Sequence, residues 1–154
     1  MTILSVDLAS RRYQDIGIAV IDYVGGAVRA RFVKPRHAIL KAPPSVDVLA
    51  GYLYGIAEEA GSKVIFIDGP QGWKHPENGL KHARTCERQL FTPGKTGPPG
   101  IVKPASWTYM AEFSIQLFDA LDEAGYSLAG TKPVRLDGTW REGFIVNPVN
   151  PSAE

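Results

Sequence analysis

A chain of 154 residues, 44% hydrophobic and 21% charged, has the composition of one globular domain and excludes a disordered chain; its net charge of +1 names no partner. No apolar run approaches the roughly 18 residues that cross a bilayer, and Met1–Asp7 lacks the basic flank of a signal peptide. One cysteine, Cys86, excludes an intrachain disulfide, so a cytoplasmic home is expected.

Residues 2–7 are a nearly continuous apolar run ending in Asp7, and they predict a first strand. After the polar turn Ser10–Asp15, the run Ile16–Asp22 reads as a second strand, and Gly25-Gly26 supplies the positive φ angles of a tight hairpin. Val28, Ala30 and Phe32 then alternate with Arg29, Arg31 and Val33 in a half-exposed third strand, whose edge offers itself to a second copy as a homodimer contact. Pro43-Pro44-Ser45 announces a helix in which Val46, Leu49, Leu53, Ile56, Ala57 and Ala60 recur at helical spacing before Gly61. Val64–Asp68 predicts a strand buried on both faces, and the strand–helix–strand order predicts that it runs parallel to a partner.

A weaker helical pattern runs from Glu77 to Phe91, and Thr92–Gly100, with three prolines and three glycines, reads as loop. Ser106 is the expected cap of a long helix that ends at Gly125, and Val134 or Phe144-Ile145-Val146 offers a fifth strand. The order is β-β-β-α-β-α-α-β in a single domain over residues 1–154. Residues 71–105 carry six basic side chains against two acids, a field that suits a phosphodiester or simply solvates a loop. Asp7 and Asp68 end the two most buried strands, where an ionised carboxylate needs a partner or a metal. The plainer alternative for Asp68-Gly69-Pro70 is turn chemistry.

Three segments carry a resemblance: "ILSVDLAS" (Ile3–Ser10), "VIFIDGPQGW" (Val64–Trp73) and "RTCERQL" (Arg84–Leu90). In order and spacing the chain resembles a family of uncharacterised prokaryotic proteins described as predicted ribonuclease-H-like nucleases. The resemblance implies an α/β, three-layer ribonuclease-H-like fold with a mixed sheet of order 3-2-1-4-5. It also implies that the first and fourth strands lie parallel and adjacent, so that Asp7 and Asp68 hold Mg²⁺ or Mn²⁺ against a nucleic-acid phosphodiester. Asp47 is the candidate third metal ligand, although an acid there also complements a helix dipole. No segment after Val146 suits a closing C-terminal helix, so either the chain is a truncated form or catalysis draws on other groups, of which Glu87 is the best replacement. Arg84 and Arg88 would hold phosphate, or form a surface network with Glu87.

Gly94-Lys95-Thr96 is not a phosphate-binding P-loop, because Gln89 stands where its first glycine belongs and Pro98-Pro99 follow. His75, His82 and Cys86 are too few for zinc, and Cys86 has no orienting partner as a nucleophile. Trp73, Trp107, Trp140 and Tyr109 could stack on bases, with Trp73 closest in sequence to the strand-end aspartate and core packing as the alternative. Two other functions remain open at this point. One is a non-catalytic nucleic-acid-binding or scaffold domain of the same fold. The other is an actin-like phosphotransferase, disfavoured because Asp7–Arg11 has no phosphate-cradling glycine.

Overall fold

Aliphatic residues two apart along neighbouring strands build the core. The computed structural model describes residues 2–34, 43–128 and 143–148. In it β1 (Thr2–Asp7), β2 (Gly17–Val24) and β3 (Ala27–Phe32) form the expected antiparallel meander. Gly25 and Gly26 turn β2 into β3 with φ of 58° and 81°, angles that side chains resist. Leu4 faces Val20 and Val6 faces Ile18 in register, and all four are buried, so one face of the sheet is apolar. Strand β3 is the sheet edge, and all six of its residues are exposed.

Helix α1 (Val46–Ala60) starts where Ser45, in extended conformation, accepts the Val48 N–H at 3.4 Å, and it stops at left-handed Gly61. Its buried stripe, Leu49, Leu53, Ile56 and Ala57, packs on the sheet and returns the chain to β4 (Ile65–Asp68), parallel to β1. Ile65 and Ile67 complete the apolar row. The chain then passes through α2 (Thr85–Gln89) and a small hairpin of β5 (Lys95–Thr96) and β6 (Val102–Lys103). Helix α3 (Thr108–Glu123) follows and adds Phe113, Leu117, Phe118 and Leu121 to the same cluster as α1. Strands β7 (Tyr126–Leu128) and β8 (Gly143–Pro148) finish a mixed six-stranded sheet of order β3-β2-β1-β4-β8-β7. None of the helices among the described residues is long and apolar enough to cross a membrane.

Several expectations need correction. The order 3-2-1-4 holds, but the outer sheet differs: β8, at Phe144-Ile145-Val146, lies antiparallel beside β4, and β7 pairs outside it. The expected 3-2-1-4-5 failed because a three-residue strand after α3 has too little pattern to be read in sequence. Val134 and Trp140 lie outside the described residues. Phe66 is only half-buried, as are Ser5 and Ala19. Among the described residues this second face of the sheet is less deeply covered than the face that α1 and α3 pack on. The helix expected over Glu77–Phe91 shrinks to five residues, and the Thr92–Gly100 loop contains β5. Ser106 does not cap α3; it lies in a 3-10 turn, Ala105–Trp107, that feeds the helix.

Tyr126, 1% exposed, sits edge-on to Tyr54 with ring centroids 5.7 Å apart, and its hydroxyl has no hydrogen-bond partner among the described residues. Burial first, then Glu58 and Tyr54, pushes the phenol up to about 12. The neutral form is therefore favoured in the folded state. Its contribution is full below the unfolded value of about 10 and is lost as pH rises from there to about 12. Tyr126→Phe should flatten the loss of thermal stability between pH 9 and 12, read as the difference from the parent chain. Superimposable alkaline profiles would remove this explanation.

Candidate functional site

Parallel pairing of β1 with β4 sets Asp7 directly opposite Asp68 at the carboxyl ends of both strands. Strand alternation puts the pair on one face, in the rows of Ser5 and Phe66. Both aspartates are exposed, and among the described residues neither takes part in an ion pair. On the other side of Asp7, β2 begins with Gly17, where an added Cβ would come within 3.2 Å of the Asp7 Cβ. The missing side chain leaves room for the carboxylate.

Asp7 and Asp68 line one cavity of about 210 Å³, walled by Leu8, Pro70, Trp107 and Met110 and floored by Arg84 and Glu87. Glu87 is buried, and both its oxygens are engaged. Oε2 accepts the backbone N–H of Arg84 at 3.0 Å and of Thr96 at 2.7 Å, while Oε1 accepts Arg84 Nε at 2.9 Å. Arg84 is only 2% exposed, and its Nη1 has no partner among the described residues. A carboxylate surrounded by three donors is a positioning group that pins α2 to β5. Lys95 Nζ is likewise held by the carbonyl oxygens of Glu87, at 3.1 Å, and of Thr92. Thus Gly94-Lys95-Thr96 organises the cavity rim through its backbone contacts and one ammonium.

Of the other candidates, Asp47 lies elsewhere. It is exposed in the first turn of α1 and lines a separate depression with Glu123 of α3. Arg88 is exposed and Trp73 half-buried, and neither lines the Asp7/Asp68 cavity. The aromatic wall is supplied by Trp107, which sequence reading ranked behind Trp73. Its one local signal is Gly94: an added Cβ there would stand 2.6 Å from the Trp107 ring. Among the described residues, no group of three or more His, Cys, Asp or Glu side chains is arranged to share a metal. Two adjacent carboxylates suit one Mg²⁺ or Mn²⁺, because such hard ions bind through one or two carboxylates and keep several waters. The basic segment does converge: His82 has its pKa lowered by burial and then by Lys103, Lys81 and Lys74.

Gly69, directly after Asp68, packs against α3; an added Cβ would meet Ser114 Oγ at 2.3 Å and Ser114 Cβ at 3.2 Å. Gly69→Ala should therefore push the end of β4 from α3, at a cost of about 1–3 kcal/mol in urea unfolding. Displacing Asp68 should lower any activity at the site by up to about 100-fold. Adding Ser114→Ala removes the nearest atom and should restore part of both. Simple additivity of the two changes would show that this contact does not matter. Set against family models, curated proteins and solved structures, the chain matches none, so its placement rests on its own residues and geometry.

Proposed function

We propose that this chain is a metal-dependent phosphodiester hydrolase, a nuclease with a ribonuclease-H-like core, acting through Asp7 and Asp68. One observation carries the reading: two exposed aspartates face each other in register at the ends of adjacent parallel strands, inside a shared cavity. Open α/β sheets bind ligands beyond the carboxyl ends of their strands. The antiparallel β1–β2–β3 meander and the 3-2-1-4 order support the ribonuclease-H-like core, and the antiparallel β8 is a departure from its expected sheet.

Mg²⁺ or Mn²⁺ held by the two carboxylates would polarise a phosphoryl oxygen and lower the pKa of a bound water. The chain's own residues do the rest. Asp7 and Asp68 hold negative charge close together, a repulsion that a cation relieves. Leu8, Pro70 and Met110 restrict water around the reacting group. Lys74, Lys81 and Lys103 surround His82 with positive charge, a field that attracts a polyanion.

The test is direct. Purified protein is titrated with Mn²⁺ and incubated with labelled RNA, single-stranded DNA and duplex. One bound ion per chain and cleavage that stops on chelation are expected. Neither ion binding nor cleavage of any of the three would end the proposal. A second reading, nucleic-acid binding without hydrolysis, is favoured by Glu87 being fully engaged rather than free as a third acid. Tight binding with no cleavage at any metal would select it.

A further inference from the structure

A second depression, about 500 Å³ in volume, adjoins the strand-end cavity; Trp107 and Met110 line both. Its other walls include Ser10, Arg11 and Tyr109. A ligand that occupies both depressions passes Trp107 and Met110, the two side chains they share. Trp107 is 45% exposed and Tyr109 55%, while the Trp107 ring is backed by Gly94, where even a Cβ would not fit. The ring is therefore held in place before any ligand arrives, which lowers the ordering cost of stacking on it. The charge of the second depression is also set by pairing. Asp15 lines it, but Arg12 occupies that carboxylate through two bonds of 2.8 and 2.9 Å. Arg11 has no ion-pair partner among the described residues, so one cation is left for an incoming anion.

From this we infer that the two depressions form a path for a single-stranded nucleic acid. One nucleotide lies over Asp7 and Asp68, and its neighbour lies beyond Trp107. The neighbour's base stacks on Trp107 or Tyr109, and a phosphate meets Arg11. Bases inside a duplex already stack on one another and offer no free face to a protruding ring, whereas unpaired bases do. The inference names the substrate class of the hydrolase reading and rests on it for the chemistry at the aspartates, though not for binding.

The test measures binding without cleavage. The 154-residue protein is titrated, in the presence of chelator, against a fluorescein-labelled 12-nucleotide oligothymidylate and against a duplex of the same length, read by anisotropy. The single strand should bind at least about tenfold tighter than the duplex. Trp107→Ala should weaken it about tenfold or more, and Trp107→Phe should restore part of the loss. Arg11→Gln should weaken binding several-fold at low salt and reduce the salt dependence by about one phosphate contact. Trp107 packs on Gly94, so Tyr109→Ala and Arg11→Gln, both on exposed residues, decide the matter if Trp107→Ala fails to fold. Duplex bound as tightly as single strand, or parent affinity in both Tyr109→Ala and Arg11→Gln, would overturn the path. Variant-sensitive binding without Mn²⁺-dependent cleavage would keep the path and remove the hydrolase. Cleavage unaffected by these variants would do the reverse.

Discussion

Asp7→Asn and Asp68→Asn are each expected to reduce divalent-metal-dependent cleavage by about 100- to 1,000-fold, the range for removing one preorganised charged group from an active site. Folding should be untouched. Both residues are exposed and neither takes part in an ion pair among the described residues, so asparagine, nearly the same in shape, breaks nothing. Stability should even rise slightly, because two like charges stand opposite each other on neighbouring strands and one is neutralised. Loss of function with equal or greater stability marks groups kept for chemistry rather than for folding. Thermal unfolding supplies a second readout. Mn²⁺ binds the folded chain and should raise its Tm with concentration, and either substitution should cancel that rise. Full cleavage by either variant, or a Tm rise that survives both, would disprove the assignment.

Glu87→Ala should be the most destabilising change in the site, at about 3–5 kcal/mol by urea unfolding, because it leaves the Arg84 guanidinium buried without its counter-charge. The Arg84 and Thr96 backbone N–H groups lose their acceptor at the same time. The loss spreads to the cavity, since the Thr96 N–H, together with Lys95, ties β5 to Glu87 of α2. Replacing both partners by apolar residues, Arg84→Met with Glu87→Leu, should recover much of the stability, because no charge is then left buried. A catalytic Glu87 makes the opposite forecast: activity lost in Glu87→Gln at nearly unchanged stability. A Glu87→Ala chain within 1 kcal/mol of the parent would show that the buried pair does not hold this corner together.

The parts of the fold that were legible in sequence are those where one short-range rule dominates. The hairpin at Gly25-Gly26 and the stop at Gly61 were readable because only a glycine readily takes positive φ. Helix α1 was readable because its apolar residues keep one period for fifteen residues with Ser45 before them. The charged helix was over-read: a pattern over Glu77–Phe91 became a helix of five residues, because the loop around it is organised by Glu87 and Lys95 rather than by helical hydrogen bonds. Strand β7 is too short to carry a period, so the outer sheet could not be ordered in advance.

Sequence by itself determined that two apolar strands each end in an aspartate, and that a helix of α1's length between them favours parallel neighbours, since pattern and chain reach are local properties. Only the tertiary structure decided which other residues join that pair. Asp47 lies exposed in the first turn of α1 beside a separate depression, Arg88 faces solvent, and Glu87 is buried against Arg84 and Thr96, while Trp107 enters from a helix start far along the chain. Contact between residues distant in sequence depends on how helices and loops pack against the strand ends. No periodicity along the chain records that.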